Sequence, residues 1–362
     1  MSKSALDMID FMDTDSSPLG CAKRETTVLL GGSGFIGSRL VSLLEELQAP
    51  VRIGDLLQSK PFPALWTHCD VRDYDSVARV VANAAAIVNL AAEHRDDVQP
   101  VSRYYETNVS GAINVCNAAR ALGIKRILFT SSVAVFGFQP TPVDEKGQFA
   151  PFNEYGKTKL QAERVYREWA AEDPTRTLVI VRPTVVFGEG NRGNVYNLLR
   201  QISSERFFMV GNGQNIKSMA YVGNVAAFLV HSLTLRPGEH IFNYVDGPDM
   251  CTQQLVEFIR RELGQNGKVR SLPVGLTLAG AHVLDGMAKI SGRTFSISAI
   301  RVRKFTENTR FLARKAFDSG FKAPYTLSEG LSRTIAFELK SSSNSGTSPS
   351  SISTSSMSQT TQ

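Results

Sequence analysis

The sequence predicts an α/β protein, a doubly wound parallel sheet with a smaller C-terminal substrate-binding domain. Three observations predict it. Short apolar segments alternate with amphipathic ones from Thr27 to Pro183, the rhythm of βαβ units. A glycine loop, Gly31-Gly-Ser-Gly34-Phe-Ile-Gly37, follows the first apolar segment and opens the first amphipathic one. A carboxylate, Asp55, closes the second strand 18 positions after Gly37.

The elements follow in order. Thr27–Leu30 reads as a buried strand, Phe35–Glu46 as a helix and Val51–Asp55 as the second strand. A third short apolar stretch precedes Asp70-Val71, and residues 76–84 read as a helix. Strands are expected over 86–90, 126–131 and 177–182, with helices over 109–122 and 155–171. After Gly188 the pattern loosens, punctuated by Gly211-Asn-Gly213, Gly223, Gly247-Pro248 and Gly292. A late strand over 240–245 is a candidate to rejoin the main sheet. The expected division is a flexible acidic leader over 1–23, a Rossmann-type dinucleotide-binding domain over 24–188, a mainly substrate-binding domain over 189–340 and a tail over 341–362. Fifteen of those last 22 residues are Ser or Thr and none is charged, so the tail cannot bury a core and is expected to be disordered.

Composition excludes several classes. The hydrophobic fraction of 42% and the charged fraction of 20% suit a soluble globular chain. No run of about 20 apolar residues is present to span a bilayer. The first twenty residues carry Asp7, Asp10, Asp13 and Asp15 against Lys3, unlike a signal peptide. Four scattered cysteines and five histidines show no metal-ligand spacing, so no metal is expected, and the cysteines read as reduced thiols of a cytoplasmic protein. The net charge of +6 is uneven: Lys289 to Lys340 holds eleven Lys or Arg against four carboxylates. That run is a solvated face, a site for a diphosphate-bearing substrate, or a contact for an anionic membrane surface. No nucleic-acid motif accompanies it, so nucleic acid is not an expected partner.

The chemistry is concentrated at Tyr155-Gly-Lys-Thr-Lys159. A phenol titrates near pH ~10 and is a poor base at neutral pH. A lysine four residues on shares its helix face, and its charge favours the phenolate. The phenolate then takes a proton from a substrate hydroxyl while hydride leaves the same carbon. Ser132, one of a Ser131-Ser132 pair ending a strand, is placed to hold that oxygen. At the other end of the argument, small residues at Gly31, Gly34 and Gly37, with Phe35 and Ile36 opening the helix, suit a pyrophosphate at a helix N-terminus. Gly32-Ser-Gly34-x-x-Gly37 fits the same pattern in another register. Asp55 can bond both ribose hydroxyls and would repel a 2′-phosphate, which favours NAD over NADP; capping the next turn is its structural alternative. Asp70-Val71 is a candidate to edge the adenine, or a plain turn.

Taken as a set, these motifs with Asn89-Leu-Ala-Ala92 and Arg182-Pro183 resemble the extended short-chain dehydrogenase/reductases, the NAD-dependent epimerase/dehydratase family, over about 27–245. The resemblance implies Tyr155 as acid/base, Lys159 as the residue that lowers its pKa and holds the nicotinamide ribose, and Ser132 as the holder of the reacting oxygen. It places Ala91, Ala92 and Pro183 along the cofactor and Asn108 on the helix facing the active site. Ala91-Ala-Glu-His-Arg-Asp-Asp-Val98, Ser131-Ser-Val-Ala-Val135, Asn191-Arg-Gly-Asn-Val-Tyr-Asn-Leu-Leu199, Lys217-Ser-Met-Ala-Tyr-Val-Gly-Asn224 and Ala323-Pro-Tyr-Thr-Leu327 are similar to one group within it, the bacterial 4-epimerases of N-acetylglucosaminyl-diphospho-undecaprenol. That likeness implies a lipid-linked sugar inverted at C4 in O-antigen or related polysaccharide synthesis, with contact at the cytoplasmic membrane face. The alternatives are a UDP-hexose or UDP-N-acetylhexosamine 4-epimerase, a net sugar ketoreductase, and a non-catalytic NAD sensor.

Three departures bear on the alternatives. Lys217 stands where nucleotide-sugar epimerases usually place an arginine, giving a point charge instead of a bidentate fork, and no second C-terminal diphosphate-binding Arg motif is evident. Val133-Ala134 replace the acidic pair of the family's dehydratases. Substrate contact is expected for His94, Asn191, Asn194 and Lys217, against solvated loop, helix cap and plain surface lysine. Tyr221 is expected in the core. Residues 271–290 are a buried helix or an interfacial segment beside Lys289, Arg293, Arg301, Arg303 and Lys304. A homodimer is one expectation for the assembly.

Overall fold

The computed structural model describes residues 26–95, 97–139, 142–266, 269–280 and 306–344. The expected leader, most of the tail, residues 281–290, Lys289, Arg293, Arg301, Arg303 and Lys304 lie outside the described residues.

Seven parallel strands form the central sheet. In chain order they are β1 (Thr27–Leu30), β2 (Val51–Asp55), β3 (Trp66–His68), β4 (Ala86–Asn89), β5 (Arg126–Thr130), β6 (Thr177–Pro183) and, after four short strands, β11 (Gly238–Tyr244). Their spatial order is β11-β6-β5-β4-β1-β2-β3, with the reversal between β1 and β4. Such a switch point opens a crevice at the carboxyl ends of the strands. β1, β4 and β6 are buried along their whole length, which is why they read as unbroken apolar runs. Alternate residues feed two separate cores. Leu29, Ile53, Val88, Leu128 and Val181 pack on one face against α1 (Phe35–Glu46) and α7 (Val222–Ser232). Val28, Leu30, Ile87, Ile127, Phe129 and Ile180 pack on the other, against α2 (Tyr74–Val81), α4 (Gly111–Ala121) and α5 (Glu154–Ala171).

The helix expected from 109 begins earlier. It starts as α3 (Ser102–Tyr105), widens into one π-helical turn at Glu106–Ser110 and continues as α4. The widened turn aims the buried Asn108 inward, a use of π-turns seen at functional sites.

The remaining short strands build the substrate side. They are β7 (Val185–Phe187), β8 (Met209–Val210), β9 (Ile216–Lys217), β10 (Met219–Tyr221), β12 (Met250–Cys251) and β13 (Ser271–Leu272), joined in three two-stranded pairs, β10 with β7, β12 with β9 and β13 with β8. With α6 (Asn194–Ser203), α8 (Thr252–Glu262) and α10 (Leu327–Asn344) they enclose a third core around Phe187, Leu199, Met219, Tyr221, Ile259 and Leu331, while α9 (Arg314–Asp318) buries Ala316 in the first core beside β11. Tyr221 is buried there. Helix α10 runs four residues past the boundary expected at 340.

Candidate active site

The catalytic set is assembled by a tight approach of α5 to the turn after β5. Asn153 caps α5, its side chain accepting from the Gly156 N–H at 2.9 Å. A Cβ on Gly156 would lie 2.6 Å from the Ala134 carbonyl oxygen, so glycine lets the first turn of the helix press against residues 133–135. That contact brings Tyr155 to Ser132. Ser132 Oγ accepts from the Ala134 N–H at 3.1 Å and also hydrogen bonds with Tyr155. Burial pushes the Tyr155 phenol up, and the Ser132 hydroxyl pulls it down.

Lys159 shares the inward face of α5, one turn on from Tyr155. Its side chain is buried, 2% exposed, its ammonium lies 4.3 Å from the centre of the Phe129 ring, and burial draws it down to about 7, with Glu163 acting in the opposite direction.

Asn108 joins the site to the loop after β4. It accepts from the Glu93 N–H at 2.9 Å and donates to the Glu93 carbonyl at 3.0 Å and to Thr158 Oγ1 at 2.9 Å. Asn89, buried at the end of β4, donates to Tyr166 Oη at 2.6 Å and accepts from the Ala91 N–H at 3.0 Å. These bonds set Ala91 and Ala92 beside the glycine loop.

The glycine loop passes a fit test for a dinucleotide. Gly31 has φ +78°, and a Cβ there would lie 2.6 Å from the Ala91 nitrogen. A Cβ on Gly37 would lie 2.5 Å from the Gly32 carbonyl oxygen. Those two glycines are packing requirements. Gly34 is different: a Cβ there meets only the Gly31 carbonyl, at 3.2 Å, on the side open to a phosphate at the N-terminus of α1. Phe35 and Ile36 form the first turn and pack inward on the third core. Asp55 Oδ2 accepts from the Ser33 N–H and Oδ1 from the Leu57 N–H, both at 3.0 Å. Each oxygen keeps a second lone pair for a ribose hydroxyl.

Asp70 is less available than its position suggested. Arg72 grips both its oxygens, at 2.6 Å at the shortest, and holds the carboxyl below the usual range. Val71 is buried against Gly111, and its carbonyl accepts from Asn114 at 3.0 Å. Pro183 is buried at the end of β6, paired in register with Tyr244.

The substrate-side candidates divide. His94 is exposed in the loop after β4. Asn191 closes the turn before α6, its side chain accepting from the Gly193 N–H and donating to the Val186 carbonyl at 3.4 Å. Asn194 is the exposed first residue of α6. Lys217 is half-buried on β9, donates to the Glu307 carbonyl and is drawn down to about 8 by burial. Bridges from Lys217 to Thr309 and from Val143 to Phe311 thread residues 309–311 between β9 and the loop before α5. That path brings in Arg310, a cation no motif marked, bonded to Asp249 at 3.0 Å.

The model of the NAD dependent epimerase/dehydratase family matches residues 27–244. The chain belongs to this family. NAD is the cofactor, and the glycine loop and Asp55 fit it. Over 318 residues the chain is 47% identical to the N-acetyl-α-D-glucosaminyl-diphospho-ditrans,octacis-undecaprenol 4-epimerase of Escherichia coli O157:H7, covering 87% of this chain and 95% of that one. It is 27% identical to a UDP-glucose 4-epimerase of Vibrio cholerae, over 87% and 96% of the two chains. The fold superposes on a UDP-N-acetylglucosamine 4-epimerase from Methanobrevibacter ruminantium M1 solved with UDP-N-acetylmuramic acid, with TM-score 0.69, 21% identity and coverage of 88% and 100%. At that identity the likeness concerns the fold alone.

The structure adds residues that motif reading passed over. Thr158 and Glu163 lie on the inward face of α5 with Tyr155 and Lys159. The signal was the spacing, since Glu163 stands eight residues after Tyr155 and four after Lys159.

Proposed function

We propose that the protein inverts C4 of an N-acetylhexosamine carried on a polyprenyl diphosphate, converting the N-acetylglucosaminyl-diphospho-undecaprenol form to the N-acetylgalactosaminyl one, for surface-polysaccharide assembly. The observation that carries this is the 47% identity with the Escherichia coli enzyme over 318 residues, nearly the whole length of both chains, with Tyr155 and Ser132 brought together at the carboxyl edge of the sheet. NAD, when bound, supplies the hydride acceptor and donor for C4. Tyr155 Oη takes the C4 hydroxyl proton and later returns it. Ser132 Oγ holds the same oxygen while its own backbone partner, the Ala134 N–H, keeps the hydroxyl oriented. Lys159 anchors the nicotinamide ribose through its ammonium.

On the substrate side, residues 189–340 hold the diphosphate. Lys217 is the leading cation, with Arg310 beside it. A point charge at this place suits a diphosphate that stays put while the sugar turns over. His94 and Asn194, both exposed, face the sugar, and Asn191 shapes the turn that presents Asn194.

The carrier lipid requires a visit to the membrane. No described helix is long and apolar enough to cross one. Phe208, Leu272, Val274 and Leu276 are 45%, 44%, 37% and 71% exposed around the β8–β13 pair, with Arg206 and Arg270 exposed beside them. Residues 274–280 are helical and mostly exposed, and these side chains support the interfacial reading.

A side-by-side assay with lipid-linked and UDP-linked N-acetylglucosamine tests the substrate. Turnover of the lipid-linked sugar without added NADPH is expected. Efficient epimerisation of the UDP sugar alone gives the UDP-sugar epimerase reading instead.

A further inference from the structure

Beneath the catalytic pair lies a charged pair that the chemistry above does not use. Glu163 and Arg182 are each 2% exposed. Arg182 Nε donates to Glu163 Oε1 at 2.8 Å and Nη2 donates to Oε2 at 2.6 Å. Oε1 also accepts from Ser131 Oγ at 2.5 Å. The guanidinium rests against the Phe136 and Phe149 rings, 5.1 and 5.0 Å from their centres. One carboxylate thus ties α5 to the ends of both β5 and β6, and Ser131 is the residue immediately before Ser132.

Stability is a weak reason for such a pair. Desolvation offsets most of the attraction between buried charges, and apolar residues of the same volume often serve as well. Geometry is a better reason. Ser132 must stay in hydrogen-bond reach of Tyr155, and small displacements of reacting groups are costly in rate.

We propose that Glu163 is a positioning residue: its carboxylate pins the Ser131 hydroxyl, so fixing Ser132 against Tyr155, and sets its negative charge one turn from Lys159 on the buried face of α5. Lys159 lies over the Phe129 ring, and Glu163 follows it by one turn on the same inward face of α5. Arg182 is paired with the same carboxylate. The direction in which Glu163 acts on Lys159 is upward, against burial.

This rests on the epimerase reading for the parts given to Tyr155 and Lys159, so Tyr155→Phe is the control. Ser131→Ala removes the pinned hydroxyl and leaves no charge unpaired. It is expected to lower kcat by up to about 100-fold with KM, bound NAD and the alkaline limb of the pH profile unchanged. Ser131→Thr should restore most of that loss. Glu163→Gln keeps the side-chain shape and removes the charge. It should lower kcat, move the alkaline limb of the profile to lower pH, and lower the Lys159 titration followed by NMR of 13Cε-labelled lysine in substrate-free protein. Wild-type kcat in Ser131→Ala overturns the pinning, and an unmoved Lys159 titration in Glu163→Gln overturns the charge effect. Should Glu163→Gln fail to fold, Ser131→Ala and its Thr rescue decide alone. Retained turnover in Tyr155→Phe would instead remove the epimerase reading itself.

Discussion

The carboxyl edge of the main sheet and the substrate side of the cleft hold their polar groups in opposite ways. At the sheet edge, buried side chains bond one another: Asn108 to Thr158, Asn89 to Tyr166, Ser131 to Glu163, Glu163 to Arg182. On the substrate side the cations lean on backbone or on carboxylates at the rim while staying half in solvent themselves. Lys217 donates to the Glu307 carbonyl. Arg192, Arg310 and Arg333 pair with Glu338, Asp249 and Glu189 while their own side chains remain 56%, 43% and 48% exposed. Buried networks fix a geometry because a broken partner is left unsatisfied in low dielectric. Exposed pairs are worth little, about 0–1 kcal/mol, and a dianion can displace them. One region is built to hold reacting atoms still, the other to exchange partners.

The comparison breaks first at Tyr155. Tyr155→Phe keeps the ring but loses the proton carrier. Turnover is expected to fall by at least about 10²-fold with NAD content and thermal midpoint close to wild type. Loss of NAD or of the fold in proportion to activity would show that the hydroxyl is a structural tie there and not the proton carrier.

A finer probe of the rigid region is Gly156→Ala. The added Cβ would sit 2.6 Å from the Ala134 carbonyl, so α5 or the 133–135 turn must shift. Overpacking of this kind costs about 1–3 kcal/mol. The same shift parts Tyr155 from Ser132, so kcat should drop about 10- to 100-fold while KM holds. A variant equal to wild type in both stability and kcat would mean that the approach of helix and turn is slack.

The same contrast explains what the sequence disclosed. The sheet was legible because strands buried on both faces leave unbroken apolar runs, as at β1 and β6. The glycines were legible because Gly31 and Gly37 are forced by backbone contact. The start of the helix at Ser102 was not, because a π-turn interrupts its period. The pairing of Asp70 with Arg72, two residues on, is invisible to spacing rules. The shared helix face of Tyr155 and Lys159 was legible from their spacing; the depth at which Lys159 is buried is a tertiary property. Arg310 carried no signal at all, since it reaches β9 only through pairing across the fold.

On the exchangeable side, Lys217 gives a pH test. Its folded pKa is lowered to about 8, so the ammonium is present below that pH and lost as pH rises through it. If it anchors the diphosphate, KM should be flat up to about pH 7 and climb beyond 8, while Lys217→Arg, charged throughout, should flatten that climb. Lys217→Gln should raise KM about tenfold at neutral pH, the scale of one charge-assisted hydrogen bond, with little change in kcat. A pH-independent KM in the wild type, with Lys217→Gln indistinguishable from it, would leave the lysine a structural tie to Glu307.

The smallest effect is expected furthest from the chemistry. Leu276, the most exposed of the four apolar side chains around β13, makes no demand on the core. Leu276→Ser should therefore leave turnover of a short-chain soluble diphospho-sugar unchanged. On vesicles containing anionic lipid it should lower partitioning by roughly fivefold, equivalent to about 1 kcal/mol of apolar burial. Arg270→Gln should lower it by a similar factor, about 1 kcal/mol per cation, and that part alone should vanish in high salt. The two terms are separable because salt screens charge and leaves apolar burial in place. Salt-insensitive loss in Arg270→Gln, or equal vesicle binding by Leu276→Ser and wild type, would move the membrane-facing surface away from the β8–β13 pair.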